Sequence, residues 1–416
     1  MSAFAHDEPA FERRLISGTL LGSLIIALGV FLSGFVMSEP APYELIMAAQ
    51  IPVWFLLGLP ISRTVGLLLA MLLVFNVGGL LAITVMKDMS GAPLNAAVSI
   101  FLAMTAVFYA AVVESRHQRL SLIFKAWVAA AIITAVLGIL GYFNAFPGAG
   151  IFTRYGRAMG AFEDPNVFGP YLIAPILYLL YRLLTGKLLQ SPLPVAGLLV
   201  LVLGVFLSFS RAAWGLLAFS VLMLIVIMLL KERSAAFRMK ILLLSLTALF
   251  LLGLALSVAL QSEQVADLFT SRAKLVQDYD GARMGRFQRH KIGFMLSMER
   301  PLGLGPLVLG KMYGEDEHNI WLKTLTTYGW LGFVTYLTLI ACTLVAGFRY
   351  LLRDRPWQPF LMISWIVILG HCMIGNVIDT DHWRHFYLLL GVVWGCIALE
   401  QRYQRQQRLS PHPLMA

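Results

Sequence analysis

His318 stands where proton chemistry is plausible on type and setting alone. It follows the acidic run Glu315-Asp316-Glu317, precedes Asn319, and leads straight into apolar sequence at Ile320-Trp321-Leu322. A histidine switches charge near neutral pH and is a suitable general base. The segment before it, 261–318, is dense in cations: Arg272, Lys274, Arg283, Arg286, Arg289, Lys291, Arg300 and Lys311. Arg283 lies three residues before Arg286, on the same face if the segment is helical. Guanidinium groups offer forked hydrogen bonds to phosphate oxygens, so this stretch reads as a groove for an anionic substrate. The alternative is a loop that is basic only because it is solvated.

Three other places could contribute. Phe162-Glu163-Asp164-Pro165-Asn166 lies in a loop that also carries Arg154 and Arg157. Pro165 disfavours helix at Asp164, and Asn166 is a candidate cap for the helix that follows. Ser208-Phe209-Ser210-Arg211 joins two apolar runs, and an arginine between apolar segments is a functional candidate by default. A snorkelling arginine at the headgroups is its structural alternative. The last place is Asp379-Thr380-Asp381-His382-Trp383-Arg384-His385. Its composition suits a metal, but the spacing is short and histidines three apart converge only on a helix. A part in shaping a cavity or meeting an acceptor suits it better, and no metal ligands are assigned.

These residues need a scaffold, and composition names its class. The chain is 59% hydrophobic and 13% charged, against roughly 25% charged in soluble proteins. Apolar runs of membrane-spanning length recur about twelve times: 15–37, 43–60, 64–86, 94–113, 121–143, 168–184, 193–209, 212–230, 240–260, 319–347, 358–378 and 384–399. The expected fold is therefore all-α, a polytopic transmembrane bundle forming a single integral membrane domain over 1–416. The segment 261–318 is inserted between its ninth and tenth spans. No cleavable signal peptide is expected, because the first apolar run is too long for a signal h-region.

Charge sets the orientation. With the N-terminus cytoplasmic, inside segments hold 18 of the 32 Lys and Arg, while the short outside loops 38–42 and 87–93 hold one between them. Both termini are then cytoplasmic, and His318, Arg211, the 144–167 loop and the 379–385 cluster share the outer face. The net charge of +10 fits cytoplasmic loops of a membrane protein better than a nucleic-acid surface. Cys342, Cys372 and Cys396 all sit in apolar runs, as packing residues rather than a disulfide framework. A transporter or flippase of a lipid-linked sugar would also want basic outer residues. It should in addition carry charges midway through its spans, and those are nearly absent here.

Read in order, Phe-Glu-Asp-Pro-Asn at 162–166, Ser-Arg at 210–211, Gly-Arg at 285–286, Pro-Leu-Gly-Leu-Gly at 301–305, His-Asn-Ile-Trp-Leu at 318–322 and Tyr-Gly-Trp-Leu-Gly at 328–332 resemble the O-antigen ligase family. That superfamily includes polysaccharide polymerases and some protein O-oligosaccharyltransferases. The resemblance covers roughly residues 150–345. It implies a metal-independent, inverting glycosyltransferase of GT-C type in the bacterial inner membrane, without a cofactor. Its donor would be a glycan on undecaprenyl diphosphate and its active site would face the periplasm. A ligase would transfer the glycan to a lipid A-core acceptor; a polymerase would use the same donor and a glycan acceptor. By the same resemblance Arg211 and Arg286 match the arginines that hold the diphosphate, and His318 the catalytic histidine. Arg157, Arg283, Arg289, Asp164, Asn166 and Asn319 are further candidates for substrate contact. One departure stands out. Members often carry Trp four residues after the loop arginine, where this chain has His290, and this leaves Arg283 and Arg289 as alternatives to Arg286.

Overall fold

The computed structural model describes residues 8–186, 192–231, 234–259, 261, 266–267, 269–270 and 285–409. Each of the twelve apolar runs is helical over most of its length. In chain order the long helices are α1 (Glu8–Leu32), α2 (Pro42–Leu56), α3 (Arg63–Thr84), α4 (Ala92–Ser115) and α5 (Arg119–Tyr142). The sixth run is split into α6 (Pro165–Tyr171) and α7 (Ile173–Thr185). Then come α8 (Pro192–Leu207), α9 (Arg211–Lys231) and α10 (Ala235–Ala259). In the polar region the described residues include α11 (Arg286–Glu299) and α12 (Val308–Tyr313). The chain closes with α13 (Ile320–Phe348), α14 (Gln358–Ile374) and α15 (Arg384–Leu409).

Among the described residues six helices are long and apolar enough to cross a membrane, and Leu20–Leu32, Pro192–Leu207 and Gln358–Ile374 are shorter apolar helices. The protein is a multi-pass helical membrane protein. In lipid the helix is the natural solution, because every backbone polar group is then satisfied within its own segment. A small antiparallel hairpin, β1 (Thr153–Arg154) and β2 (Arg157–Ala158), interrupts the helical pattern between α5 and α6.

Helices approach closely where side chains are small, as expected when packing rather than water exclusion drives association. A Cβ at Gly391 or Gly395 of α15 would lie 2.6 Å from Ala106 O and 2.8 Å from Ala110 O of α4. Those two backbones are therefore nearly in contact. On another seam Tyr328 of α13 stacks on Phe75 of α3, with ring centroids 4.0 Å apart.

Polar contacts sort the loops into two ends. At one end Val36 N donates to Ala161 O at 2.6 Å, and Lys311 Nζ reaches Asp88 Oδ2 at 2.8 Å. Arg384 pairs there with Glu39 and Glu44. At the other end Thr64 bonds Gln401, Lys231 pairs with Asp354, and Arg355 with Glu400. This is the grouping of loops that the charge pattern leads one to expect. It gathers His318, the hairpin, the start of α9 and the 375–383 turn at a single end.

Candidate active site

The His318 end is built around the N-terminus of α13. Asn319 is its N-cap, with a side chain that accepts from Leu322 N at 3.0 Å. Helix N-termini leave backbone donors without intrahelical partners, and here the turn after α14 supplies them. Asp379 accepts from His318 N at 3.2 Å and Asn319 N at 2.8 Å, and Gly375 O accepts from Ile320 N at 2.7 Å. His318 itself is held at a φ of 49°, the left-handed region that a non-glycine residue adopts only when its surroundings impose it. Its half-buried imidazole makes no hydrogen bond among the described residues.

A charged network underlies this turn. Lys323, in the first turns of α13, places Nζ 3.6 Å from Asp379 Oδ2 and 3.5 Å from Asp381 Oδ1. Asp381 in turn lies 3.0 Å from His382 Nδ1. Burial pushes the Asp381 carboxyl up, but Lys323 and His382 outweigh it and hold the group below the ordinary carboxylate range. For Asp379 the balance falls the other way. Burial raises it, Lys323 opposes, and the Asp381 carboxylate adds to the rise. The two aspartates thus share one ammonium unequally.

Glu317 is 5% exposed, and its Oε1 accepts from Thr326 Oγ1 at 2.6 Å. Burial, only partly countered by Lys323, pushes it up to about 7 from an ordinary value of 4.5. Below pH 4.5 the group is protonated in folded and unfolded chains alike. Between 4.5 and 7 only the folded chain keeps the proton, so stability falls as pH rises through this window and levels off above it. The span corresponds to about 3 kcal/mol. Glu317→Gln, which keeps an acceptor for Thr326, should flatten this dependence in melting curves of the detergent-solubilised protein between pH 4.5 and 7.5. An unchanged slope would place the titration elsewhere.

The polar segment docks on this end through α11. Arg289 pairs with Glu315 at 2.5 Å, and His290 Nε2 donates to Glu317 O at 2.7 Å. His290, the departure from the family pattern, thus grips the backbone immediately before His318. Arg286 is the first residue of α11, one helical turn before His290. The side chain of Arg286 and all of Arg272, Lys274 and Arg283 lie outside the described residues.

The return from α11 is locked to α13 by a bend. Gly329 has a φ of 64° and a ψ of −172°, which interrupts the helix and frees the Thr326 carbonyl. That carbonyl accepts from Leu304 N at 2.7 Å and Gly305 N at 3.1 Å, while Trp330 N donates to Pro301 O at 2.9 Å. A Cβ on Gly303 would sit 2.7 Å from Thr326 O, which explains the glycine in Pro-Leu-Gly-Leu-Gly.

Arg211 stands on the neighbouring element. It opens α9, and Ser210 Oγ accepts from Ala213 N at 3.4 Å as a cap. The turn before it is braced by Arg157, whose Nε donates to Ser208 O at 2.7 Å and whose terminal nitrogen donates to Asn166 Oδ1 at 2.8 Å. Asp164, not Asn166, caps α6: Pro165 takes the first helical position, and Asp164 Oδ1 accepts from Asn166 N at 2.7 Å. The end of α14 links the two halves. Gly370 packs on Leu216 of α9, and Gly375 is bonded to the start of α13.

The structure therefore brings His318, Asn319, Arg289 and His290 together, with Arg211, Arg157, Asp164 and Asn166 on the adjoining side of the same end. Arg157, Asn166, Asp164, Arg289 and Asn319 each have a partner within the protein. Lys323, Glu317 and the anchoring use of Asp379 were missed by the sequence reading. A lone lysine inside an apolar run, opposite two aspartates at the same end, was the available signal.

A comparison with curated proteins gives no match. The family model described as O-antigen ligase matches residues 196–337, the stretch that carries Arg211, Arg286, His318 and Lys323. Through this stretch, from α8 into α13, the chain is similar to the O-antigen ligase family.

Proposed function

We propose that the protein is a glycosyltransferase of GT-C type that moves a preassembled glycan from undecaprenyl diphosphate to a lipid A-core acceptor. In this reading it lies in the bacterial inner membrane with both termini in the cytoplasm, and the His318 end faces the periplasm. The observation that carries the reading is the setting of His318: an imidazole that makes no hydrogen bond among the described residues, its backbone N–H held by Asp379, within the family-matched segment.

The acceptor hydroxyl attacks the anomeric carbon of the donor sugar while its proton passes to an imidazole nitrogen of His318. The bond from that carbon to the diphosphate oxygen breaks, and its electron pair leaves with undecaprenyl diphosphate. A single displacement inverts the anomeric centre. Arg211 and Arg286 meet the growing phosphate charge with guanidinium forks, a role that needs no metal. Asn319, Asp164 and the remaining arginines of the segment shape the approach of sugar and acceptor.

A deletion strain tests the assignment. Full-length polymer should accumulate on its lipid carrier, with none attached to the lipid A core. A core capped by single repeat units instead would replace the ligase reading with a polymerase acting on the same donor. At the residue level, Arg211→Ala should lower transfer about a hundredfold, the order expected when one donor aimed at transition-state charge is removed. Arg211→Lys should recover only part of this, since the ammonium keeps the charge and loses the fork. Full activity in either variant would remove Arg211 from the diphosphate site.

A further inference from the structure

The end of the bundle opposite His318 carries a cleft of its own. It has a volume of about 560 Å³ and opens between the start of α3, the last turns of α13 and the polar continuation of α15. Its wall is apolar, with Leu67, Val345 and Ile397 beside small residues of α13. Ala341, Cys342 and Ala346 of α13 leave a gap facing Trp394 of α15. The frame around the gap is pinned, because Trp394 Nε1 donates to Thr343 Oγ1 at 2.9 Å and Thr64 Oγ1 donates to Gln401 Oε1 at 2.6 Å.

Three arginines stand at the mouth: Arg63, Arg349 and Arg405, all exposed. Among the described residues no carboxylate lines the cleft and none of the three makes an ion pair. Glu400, on the same helix as Arg405, is fully buried and committed to Arg355 at 3.1 Å. Arg349 caps the C-terminus of α13, where a cation offsets the helix dipole. Arg63 has no such account. It opens α3, where the dipole is already positive, and no acidic residue shares that first turn. The mouth therefore concentrates positive charge that no carboxylate among the described residues neutralises.

We propose that this cleft binds one diacyl phospholipid with an anionic headgroup, its phosphate among the three arginines and an acyl chain along the α13 wall. The volume falls within the range of ordinary ligand pockets, roughly 300–1,000 Å³. A free anion would use the mouth and leave the apolar wall bare. A zwitterionic lipid would fill the wall but bring its own cation to three others. Basic pockets between helices at the membrane surface suit anionic headgroups on these grounds, and arginines at a bundle end lie at headgroup level. The site is at the other end from His318, so it stands or falls independently of the glycosyl-transfer reading.

Native mass spectrometry of the purified full chain, titrated with phosphatidylglycerol or with phosphatidylcholine of the same acyl chains, tests this. One phosphatidylglycerol should be retained well beyond phosphatidylcholine. Each arginine changed to glutamine should weaken retention about fivefold. The triple variant R63Q/R349Q/R405Q should lose the selectivity, while R63K/R349K/R405K keeps it and shows that the charge rather than the fold was removed. Ala346→Trp should block the wall and expel the lipid with all three arginines intact. Equal retention of both lipids, or full retention in the glutamine triple variant, would overturn the proposal. Displacement by glycerol phosphate alone would do so too, because it would reveal an anion site without an acyl chain.

Discussion

His318→Ala should remove transfer activity by about 10²- to 10⁴-fold, the range associated with loss of a general acid–base group. The measurement is single-turnover transfer in proteoliposomes containing lipid-linked donor and acceptor, with melting behaviour recorded alongside. Alanine at a φ of 49° costs backbone energy of its own, so a second variant is needed. Asparagine tolerates the left-handed region and cannot serve as the base. His318→Asn should therefore melt close to the wild type and be as inactive as the alanine variant. Near-normal turnover in a well-folded His318→Asn protein would remove the histidine from the chemistry, whatever alanine does.

The second large effect is expected at Asp379, which touches no substrate in this reading and acts through the backbone. Asp379→Asn replaces one acceptor oxygen with an amide that faces an N–H donor from His318 or Asn319. It also removes one of the two carboxylates paired with Lys323. The backbone that carries the imidazole should shift, and misplacement on the scale of an ångström can cost about a hundredfold in rate. The loss should fall on kcat, with KM for the donor little changed, because the arginines proposed to hold the diphosphate, Arg211 and Arg286, open α9 and α11. Asp379→Glu keeps the charge and should regain part of the rate. If the asparagine variant instead raised KM tenfold with kcat intact, Asp379 would be a substrate contact rather than an anchor.

The helical class and the two-ended grouping of loops were legible because they depend on local quantities. Run length decides whether a segment spans, and the distribution of Lys and Arg decides which loops share an end. The position of His318 and Asn319 was legible for the same reason, as a polar pair on the threshold of an apolar run. Lys323 and Asp379 were not, since their meaning lies in a contact between two distant parts of the chain. Arg157 and Asn166 show the opposite difficulty. Their types and position suit a ligand site, yet the structure spends them on each other and on Ser208. Type and position do not distinguish a brace from a binding group. His290 entered as a mismatch with a family pattern, and geometry gave it a task of its own at Glu317.

The bend at Gly329 divides α13 mechanically. The arm 320–328 is riveted to the 301–305 return on one side and to the 375–379 turn on the other, while 330–348 runs on among the other helices. Bilayers differ in thickness, and helices respond by tilting. In α13 such tilting has a natural fulcrum at Gly329, beyond which the arm bearing His318 is tied to its neighbours instead. One helix therefore has two settings: its long arm lies among the membrane helices, and its short arm is tied to the turn that carries His318.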